Sequence, residues 1–196
     1  DKWTKAKMAI AQGADLVIEL PTIYSTSSAE NFAEGAIKIL DSLGIVDTLS
    51  FGIEAKDLAT LNNIANVVYQ EPKEYITMLN HELNKGISFP KARENALMMY
   101  LNDIKRYANV LNGSNNILGI EYLKAIKRLK SPLKPIGIQR EKVLYRDEII
   151  VDDFASATAI RKMIATRQFD DIIKVIPRSS YILLAQELRK GHYVLD

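Results

Sequence analysis

Two predicted strands with a helix between them constrain the fold of this chain more than any other feature. Residues 15–21 are nearly all apolar and end at a proline, and residues 46–52 end at a glycine. The first stretch is typical of a strand that is buried in a parallel sheet, and the second is predicted as another strand. Residues 27–30 begin the intervening helix, and Gly44 ends it. A strand, a helix and a strand within about forty residues predict a βαβ unit, and therefore a parallel sheet with a right-handed crossover.

A long helical region follows before the next strand. Residues 56–112 carry apolar stripes at helical spacing, and this is more helix than a crossover requires. We therefore predict an α/β fold with an inserted helical subdomain. Residues 134–140 form the third predicted strand, which ends at Arg140. The predicted domain division is 1–55 for the first part of the sheet domain, 56–112 for the insertion, 113–176 for the second part and 177–196 for the start of a further helical region.

Two residues at predicted strand ends are candidates for a binding site. Ligands of open α/β sheets bind beyond the carboxyl ends of the strands. Gly52 lies at one such end, where a glycine allows the backbone to approach a ligand closely. Arg140 lies at another and supplies a positive charge. The simpler interpretation is a turn glycine and a solvated arginine.

Residues 152–163 are typical of a loop that runs into a helix. Ser156 or Asp153 can cap the first free amides of this helix. Thr158 and Arg161 lie three residues apart and therefore share one face. A hydroxyl, free amides and a guanidinium at one helix start suit a phosphate group. The alternative is an ordinary capped helix with a surface arginine.

A pair of asparagines, Asn115 and Asn116, opens another predicted helix. One asparagine suffices as a cap, and the other could offer its amide to a ribose or an adenine edge. Taken alone, the pair favours capping.

The composition excludes several kinds of site. Of the 196 residues 47% are hydrophobic and 26% charged, and a net charge of +2 does not by itself indicate nucleic-acid binding. Because the chain has no cysteine, it forms no disulfide, no zinc–thiolate cluster and no thiol nucleophile. His81 and His192 are far apart in the sequence, which disfavours a histidine metal site. No apolar run is long enough to span a membrane, so a cytoplasmic protein with no membrane partner is expected.

Several short motifs occur in order along nearly the whole chain. They are Asp1-Lys2-Trp3, Asp15-Leu16-Val17-Ile18-Glu19-Leu20-Pro21, Ser28-Ala29-Glu30, Ser50-Phe51-Gly52, Ser88-Phe89-Pro90-Lys91-Ala92, Asn115-Asn116-Ile117-Leu118-Gly119 and Phe154-Ala155-Ser156-Ala157-Thr158-Ala159-Ile160-Arg161. As an ordered set they resemble the tRNA(Met) cytidine acetate ligase family, a branch of the HxGH nucleotidyltransferase-like superfamily.

The resemblance implies a Rossmann-like nucleotidyltransferase domain and an ATP-dependent ligase. Such a ligase activates acetate as acetyl-adenylate and acetylates the wobble cytidine of elongator tRNA(Met), with Mg²⁺ bridging the phosphates of ATP. By the same resemblance, Gly52, Asn115 or Asn116, and Arg140 contact ATP. The segment with Ser156, Thr158 and Arg161 corresponds to the signature that binds the triphosphate, and Arg161 is the candidate catalytic residue. No side chain is implied as a metal ligand.

The resemblance also predicts that this chain is part of a longer protein. The family's HxGH motif is expected before Asp1 and further helices after Asp196, so this polypeptide alone is expected to be inactive in adenylation. Two other functions compete with the ligase. One is another adenylyl- or cytidylyltransferase of the superfamily that acts on a small molecule. The other is a non-catalytic RNA-binding module, which the small net charge and the lack of an aromatic-rich basic strand disfavour.

Overall fold

The structure is a computed structural model that describes residues 1–107, 110–140, 150–151 and 154–191. The chain divides into two compact units, one made of Asp1–Glu19 with Glu141–Asp196 and the other of Leu20–Arg140. The domain division predicted from the sequence has other boundaries and stays a prediction. In the part of the chain that is described, no helix has both the length and the apolar character needed to cross a membrane.

Helices dominate both units. In chain order they are α1 (Lys2–Ala11), α2 (Thr22–Ser25), α3 (Ala29–Leu43), α4 (Leu58–Gln70), α5 (Lys73–Leu83), α6 (Phe89–Leu101), α7 (Ile104–Tyr107), α8 (Ser114–Leu129), α9 (Ala157–Ala165), α10 (Phe169–Val175) and α11 (Arg178–Arg189). The strands are β1 (Thr48–Ile53), β2 (Lys134–Gln139), β3 (Ile150–Val151) and β4 (Phe154–Ala155). A 3₁₀ turn covers Val110–Asn112.

The parallel sheet of the second unit consists of β1 and β2. Thr48 lies opposite Lys134, and the register runs in step to Ile53 opposite Gln139. Helices α4 to α8 lie in the connection between these two paired strands, which confirms the predicted α/β class with a helical insertion. Because the strands are parallel, their carboxyl ends meet at one edge, where Gly52 and Arg140 lie.

The core of the second unit forms between the inserted helices and the sheet. Its fully buried side chains include Leu61 and Ile64 of α4, Leu97 of α6 and Ile120 of α8, together with Ile53 of β1. The rings of Phe51 and Tyr122 lie 5.4 Å apart, which packs α8 on the strand. The helical stripe predicted in α4 is thus the face that the unit buries.

The prediction of a buried strand at residues 15–21 is wrong. The structure has no strand there, and 60% of Leu16, 42% of Val17 and 42% of Ile18 is exposed. A parallel strand is stable only when its amides pair with a neighbouring strand and both of its faces are covered. Among the described residues, none pairs with this segment. The predicted βαβ unit around α3 is therefore absent. Helix α3 itself begins within residues 27–30 and ends at Gly44, as predicted, and the structure identifies Ser28 as its cap.

The first unit is built from α1 and the three C-terminal helices. Ala159 and Met163 of α9 and Ile172 of α10 form its buried cluster. The Gln12 side chain, just after α1, donates a hydrogen bond to the Ser179 hydroxyl of α11. Strands β3 and β4 pair in antiparallel fashion directly before α9.

An ionic network joins α3, α6 and α8 in the second unit. Glu121, which is only 3% exposed, accepts two hydrogen bonds of 3.0 Å from Arg93 and lies 2.8 Å from the Lys124 ammonium. Lys124 also lies 2.9 Å from Glu30, and Arg128 pairs with Glu30 and Glu34. Since a buried carboxylate is costly unless it is paired, this network fixes how the three helices pack.

We expect Glu30→Gln to lower the free energy of unfolding by about 0.5 kcal/mol at neutral pH, since the side chain is 46% exposed and screened by solvent. The hydrogen bond from Lys124 is the main cause that holds the pKa of Glu30 below its ordinary value. A lowered folded-state pKa contributes stability above the unfolded-state pKa, and this stability is lost as the pH falls through the folded-state value. Urea unfolding should therefore show a difference between the two proteins at pH 7 that disappears in acid. An equal difference at both extremes would contradict this account.

Candidate functional site

Gly52 and Arg140 lie side by side at the carboxyl edge of the parallel sheet. The Arg140 amide donates a hydrogen bond of 2.8 Å to the Ile53 carbonyl, which continues the ladder one step beyond β2. A Cβ atom built on Gly52 would lie 3.4 Å from Cγ and 3.6 Å from Cδ of Arg140, so the arginine stem runs along the glycine. The arginine is exposed, and among the described residues its guanidinium has no hydrogen bond or ion pair. At this edge, a backbone position without a side chain therefore lies beside a positive charge that has no partner among the described residues.

The two asparagines of α8 lie at the same edge but do not cap the helix. The structure places Gly113 at the cap position with no capping side chain, and the helix begins at Ser114. The prediction that an asparagine caps this helix is wrong. Asn115 and Asn116 occupy its first turn, where their own backbone amides need acceptors.

The acceptors come from Glu54, which follows β1 directly. Its Oε2 accepts a hydrogen bond of 3.0 Å from the Asn116 amide, and its Oε1 accepts one of 3.4 Å from the Asn115 amide. Oε1 also accepts a hydrogen bond of 2.7 Å from Asn115 Nδ2. A Cβ atom on Gly113 would overlap this carboxylate, so the glycine makes room for it. Glu54 was not among the residues predicted from the sequence, although an acid two residues after a strand-end glycine is a visible signal.

Asn116 ties the end of β1 to the start of α8 and is 2% exposed. Its Oδ1 accepts hydrogen bonds from the amides of Glu54 (2.8 Å) and Ala55 (2.9 Å), and its Nδ2 donates one of 2.9 Å to the Val110 carbonyl. Asn115 is only partly buried, and among the described residues nothing donates to its Oδ1. Of the two asparagines, Asn115 is thus the one with a free side-chain acceptor.

The start of α9 carries the candidate phosphate residues in the first unit. Ser156 is 5% exposed and caps the helix, because its Oγ accepts a hydrogen bond of 3.0 Å from the Ala159 amide. This cap was predicted from the sequence, whereas Asp153, the alternative cap, lies outside the described residues. Arg161 is exposed, and within the described residues neither it nor the Thr158 hydroxyl has a hydrogen-bond or ion-pair partner.

The predicted site residues thus fall into two groups. Gly52, Asn115, Asn116 and Arg140 come together at the sheet edge of the second unit, whereas Ser156, Thr158 and Arg161 share the start of α9 in the first unit. Their convergence on one ligand stays a prediction. Among the described residues, no group of three or more His, Asp or Glu side chains could hold a metal ion.

Comparison with known proteins identifies the family of this chain. The model of the family described as HIGH Nucleotidyl Transferase matches residues 1–195. The chain is similar to the tRNA(Met) cytidine acetate ligase of Caldanaerobacter subterraneus subsp. tengcongensis, with 45% identity over 97% of this chain and 47% of the relative. The enzyme of the same name from Acetivibrio thermocellus is 44% identical over 97% of this chain and 47% of the relative. The chain therefore spans about half the length of the curated relatives it matches.

Two solved structures have the same fold. The apo crystal structure of Thermotoga maritima TmcAL superposes with a TM-score of 0.93 at 35% identity, covering 98% of this chain and 46% of that one. The structure of the same protein bound with alpha-thio ATP superposes with a TM-score of 0.87 at 34% identity, covering 98% and 45%. The resemblance inferred from the sequence motifs is confirmed.

Proposed function

Since this chain belongs to the HIGH nucleotidyltransferase family, we propose that it forms part of an ATP-dependent ligase that acetylates the wobble cytidine of elongator tRNA(Met). The observation that carries the proposal is the sheet edge, where the backbone at Gly52 lies beside Arg140, whose guanidinium has no partner among the described residues. The relatives' name and the ATP analogue in the Thermotoga maritima structure support it. As a cytoplasmic enzyme, the protein would use acetate and ATP as its small-molecule substrates.

The first proposed step is the activation of acetate. A carboxylate oxygen of acetate attacks the α-phosphorus of ATP, the bond from this phosphorus to the bridging oxygen breaks, and pyrophosphate leaves. Acetyl-adenylate is the product. In the second step the exocyclic amine of the cytidine attacks the acetyl carbonyl, loses a proton and displaces AMP. Both steps depend on position and charge neutralisation more than on side-chain nucleophiles, which agrees with a chain that has no cysteine.

Named residues of this chain fit the first step. Gly52 lets the nucleotide approach the backbone of β1, and Arg140 neutralises phosphate charge beside it. At the start of α9, the Thr158 hydroxyl and the Arg161 guanidinium donate hydrogen bonds to the triphosphate. They lie next to backbone amides that favour an anion. Asn115 is the asparagine that contacts the nucleotide, while Asn116 holds the edge together.

Mg²⁺ would enter this site as a companion of the nucleotide. The described residues provide no carboxylate cluster for it, and Mg²⁺ is commonly held through substrate phosphates with one or two carboxylates. Bound in this way, it would neutralise charge on the phosphates.

An isotope-exchange assay tests the proposal in the full-length protein. We expect labelled pyrophosphate to enter ATP when acetate is present and much more slowly with other carboxylic acids or without any acid. The complete reaction should convert the wobble cytidine of elongator tRNA(Met) to N4-acetylcytidine, as measured by mass spectrometry. Exchange that is independent of acetate, or that requires a different small molecule, would instead identify another nucleotidyltransferase of the superfamily.

A further inference from the structure

Glu54 is a charged group at the sheet edge to which the proposed function gives no role. It lies directly after β1, two residues beyond Gly52 in the sequence. Its carboxylate fills the start of α8, because Oε2 accepts from the Asn116 amide (3.0 Å). The anion-binding position of this helix is therefore occupied by the protein's own side chain and is not free for a phosphate.

The contact between Glu54 and Asn115 fixes the orientation of the Asn115 amide. A carboxylate has only acceptors, whereas an asparagine amide has a donor end and an acceptor end. The donor end must therefore face Glu54, as it does, with Nδ2 2.7 Å from Oε1. It follows that Asn115 presents its Oδ1 on the other side, and within the described part of the chain no group donates to this oxygen. An acceptor of fixed orientation can distinguish a ligand that carries a donor from one that does not.

Building on the proposed function, we propose that Glu54 is a positioning residue that holds Asn115 Oδ1 ready to accept a hydrogen bond from a donor group of the bound nucleotide. Two groups of ATP have this chemistry: the amine at C6 of adenine and a ribose hydroxyl. A site with such an acceptor discriminates strongly between ATP and an analogue that lacks the donor group, because the analogue leaves a polar atom of the site without a hydrogen bond. Glu54 touches no ligand in this scheme and acts only through Asn115.

Nucleotide analogues and protein variants together test the coupling in the full-length protein. Binding of ATP, ITP, 2′-deoxy-ATP and 3′-deoxy-ATP is measured by calorimetry for the wild type, Glu54→Ala and Asn115→Ala. ITP replaces the amine with a carbonyl, and the deoxynucleotides each lack one hydroxyl, so the analogues separate the two sources. In the wild type we expect one of these changes to weaken binding about 10-fold. In both variants the same change should weaken binding less than about 3-fold, because the oriented acceptor is lost.

Asp57→Ala is the matched control. Asp57 is also a carboxylate that caps a helix near this edge, since its Oδ1 accepts from the Thr60 amide at 2.7 Å, but no contact joins it to Asn115 in the described structure. This variant loses a cap and should keep the full wild-type discrimination. Glu54→Asp is the second test if Glu54→Ala does not fold. It keeps a negative charge near the helix start but is one methylene too short for the bond to Nδ2, so it should lose discrimination as Glu54→Ala does.

The results of these binding measurements decide whether Glu54 positions Asn115, and they differ from the results that would refute the proposed function. An unchanged analogue penalty in the folded Glu54 variants would overturn the inference, as would a wild type that binds all four nucleotides equally. The proposed function would fail differently, through a wild type that neither binds ATP nor catalyses acetate-dependent exchange.

Discussion

We expect Arg161→Ala in the full-length protein to lower the rate of acetate-dependent pyrophosphate exchange at least about 100-fold and to leave the fold intact. The reason is that a guanidinium aimed at the charge that develops on transferring phosphates contributes a large part of catalysis, and its removal typically costs about 10²–10³ in rate. The fold should survive because Arg161 is exposed, while Ala159 and Met163 form the buried face of the same helix. Exchange kinetics and a thermal unfolding curve measure the two halves of the prediction.

Arg189→Ala controls for the loss of one positive charge from the same unit. Arg189 is exposed in the last turn of α11, and the proposed phosphate group does not include it. We expect this variant to exchange pyrophosphate at nearly the wild-type rate. If Arg161→Ala were equally active, the start of α9 would have no role in phosphate binding.

Asn116→Ala should lower the free energy of unfolding by about 3–5 kcal/mol. The buried side chain serves two amides, those of Glu54 and Ala55, and one carbonyl, that of Val110. Removing it leaves three backbone groups without partners, each at a cost of about 1–3 kcal/mol when water cannot reach them fully. Urea unfolding followed by circular dichroism gives the free energy, and the melting temperature should fall by about 10 °C.

The neighbouring asparagine supplies the control. Asn115 is partly exposed and bonds only to Glu54 through its side chain in the described structure, so Asn115→Ala should cost less than about 1 kcal/mol. Similar losses in the two variants would mean that Asn116 does not hold the sheet edge together.

Local patterns predicted the elements that depend on nearby residues. The start and the Gly44 end of α3, the Ser156 cap of α9 and the second and third strands all follow from signals within a few residues. The class of the fold followed in turn, because parallel strands with helices between them permit few arrangements.

Contacts distant in sequence account for what the patterns missed. The cap of α8 comes from Glu54, 61 residues before the first amide that it serves, and a helix sequence does not reveal such a partner. Asn115 and Asn116 are alike in the sequence, but the structure separates them: Asn116 is buried and bonded to three backbone groups, whereas Asn115 is partly exposed and its Oδ1 accepts no hydrogen bond from the described residues. Residues 15–21 have the apolar character of a strand, but character alone does not supply the neighbouring strand that hydrogen bonding requires.

If a nucleotide lies against the backbone at Gly52, a methyl group at this position should disturb its binding, and Gly52→Ala adds that methyl group. A Cβ atom at this position would make only ordinary contacts of 3.4 Å and 3.6 Å with the Arg140 stem, so the protein itself tolerates alanine. Thr48→Ala is the control, because Thr48 is exposed on the same face at the opposite end of β1. ATP affinity of the full-length proteins is measured by calorimetry beside their melting temperatures. We expect Gly52→Ala to weaken ATP binding at least about 10-fold with an unchanged melting temperature, while Thr48→Ala binds ATP as the wild type does. Wild-type affinity in a folded Gly52→Ala protein would contradict this expectation.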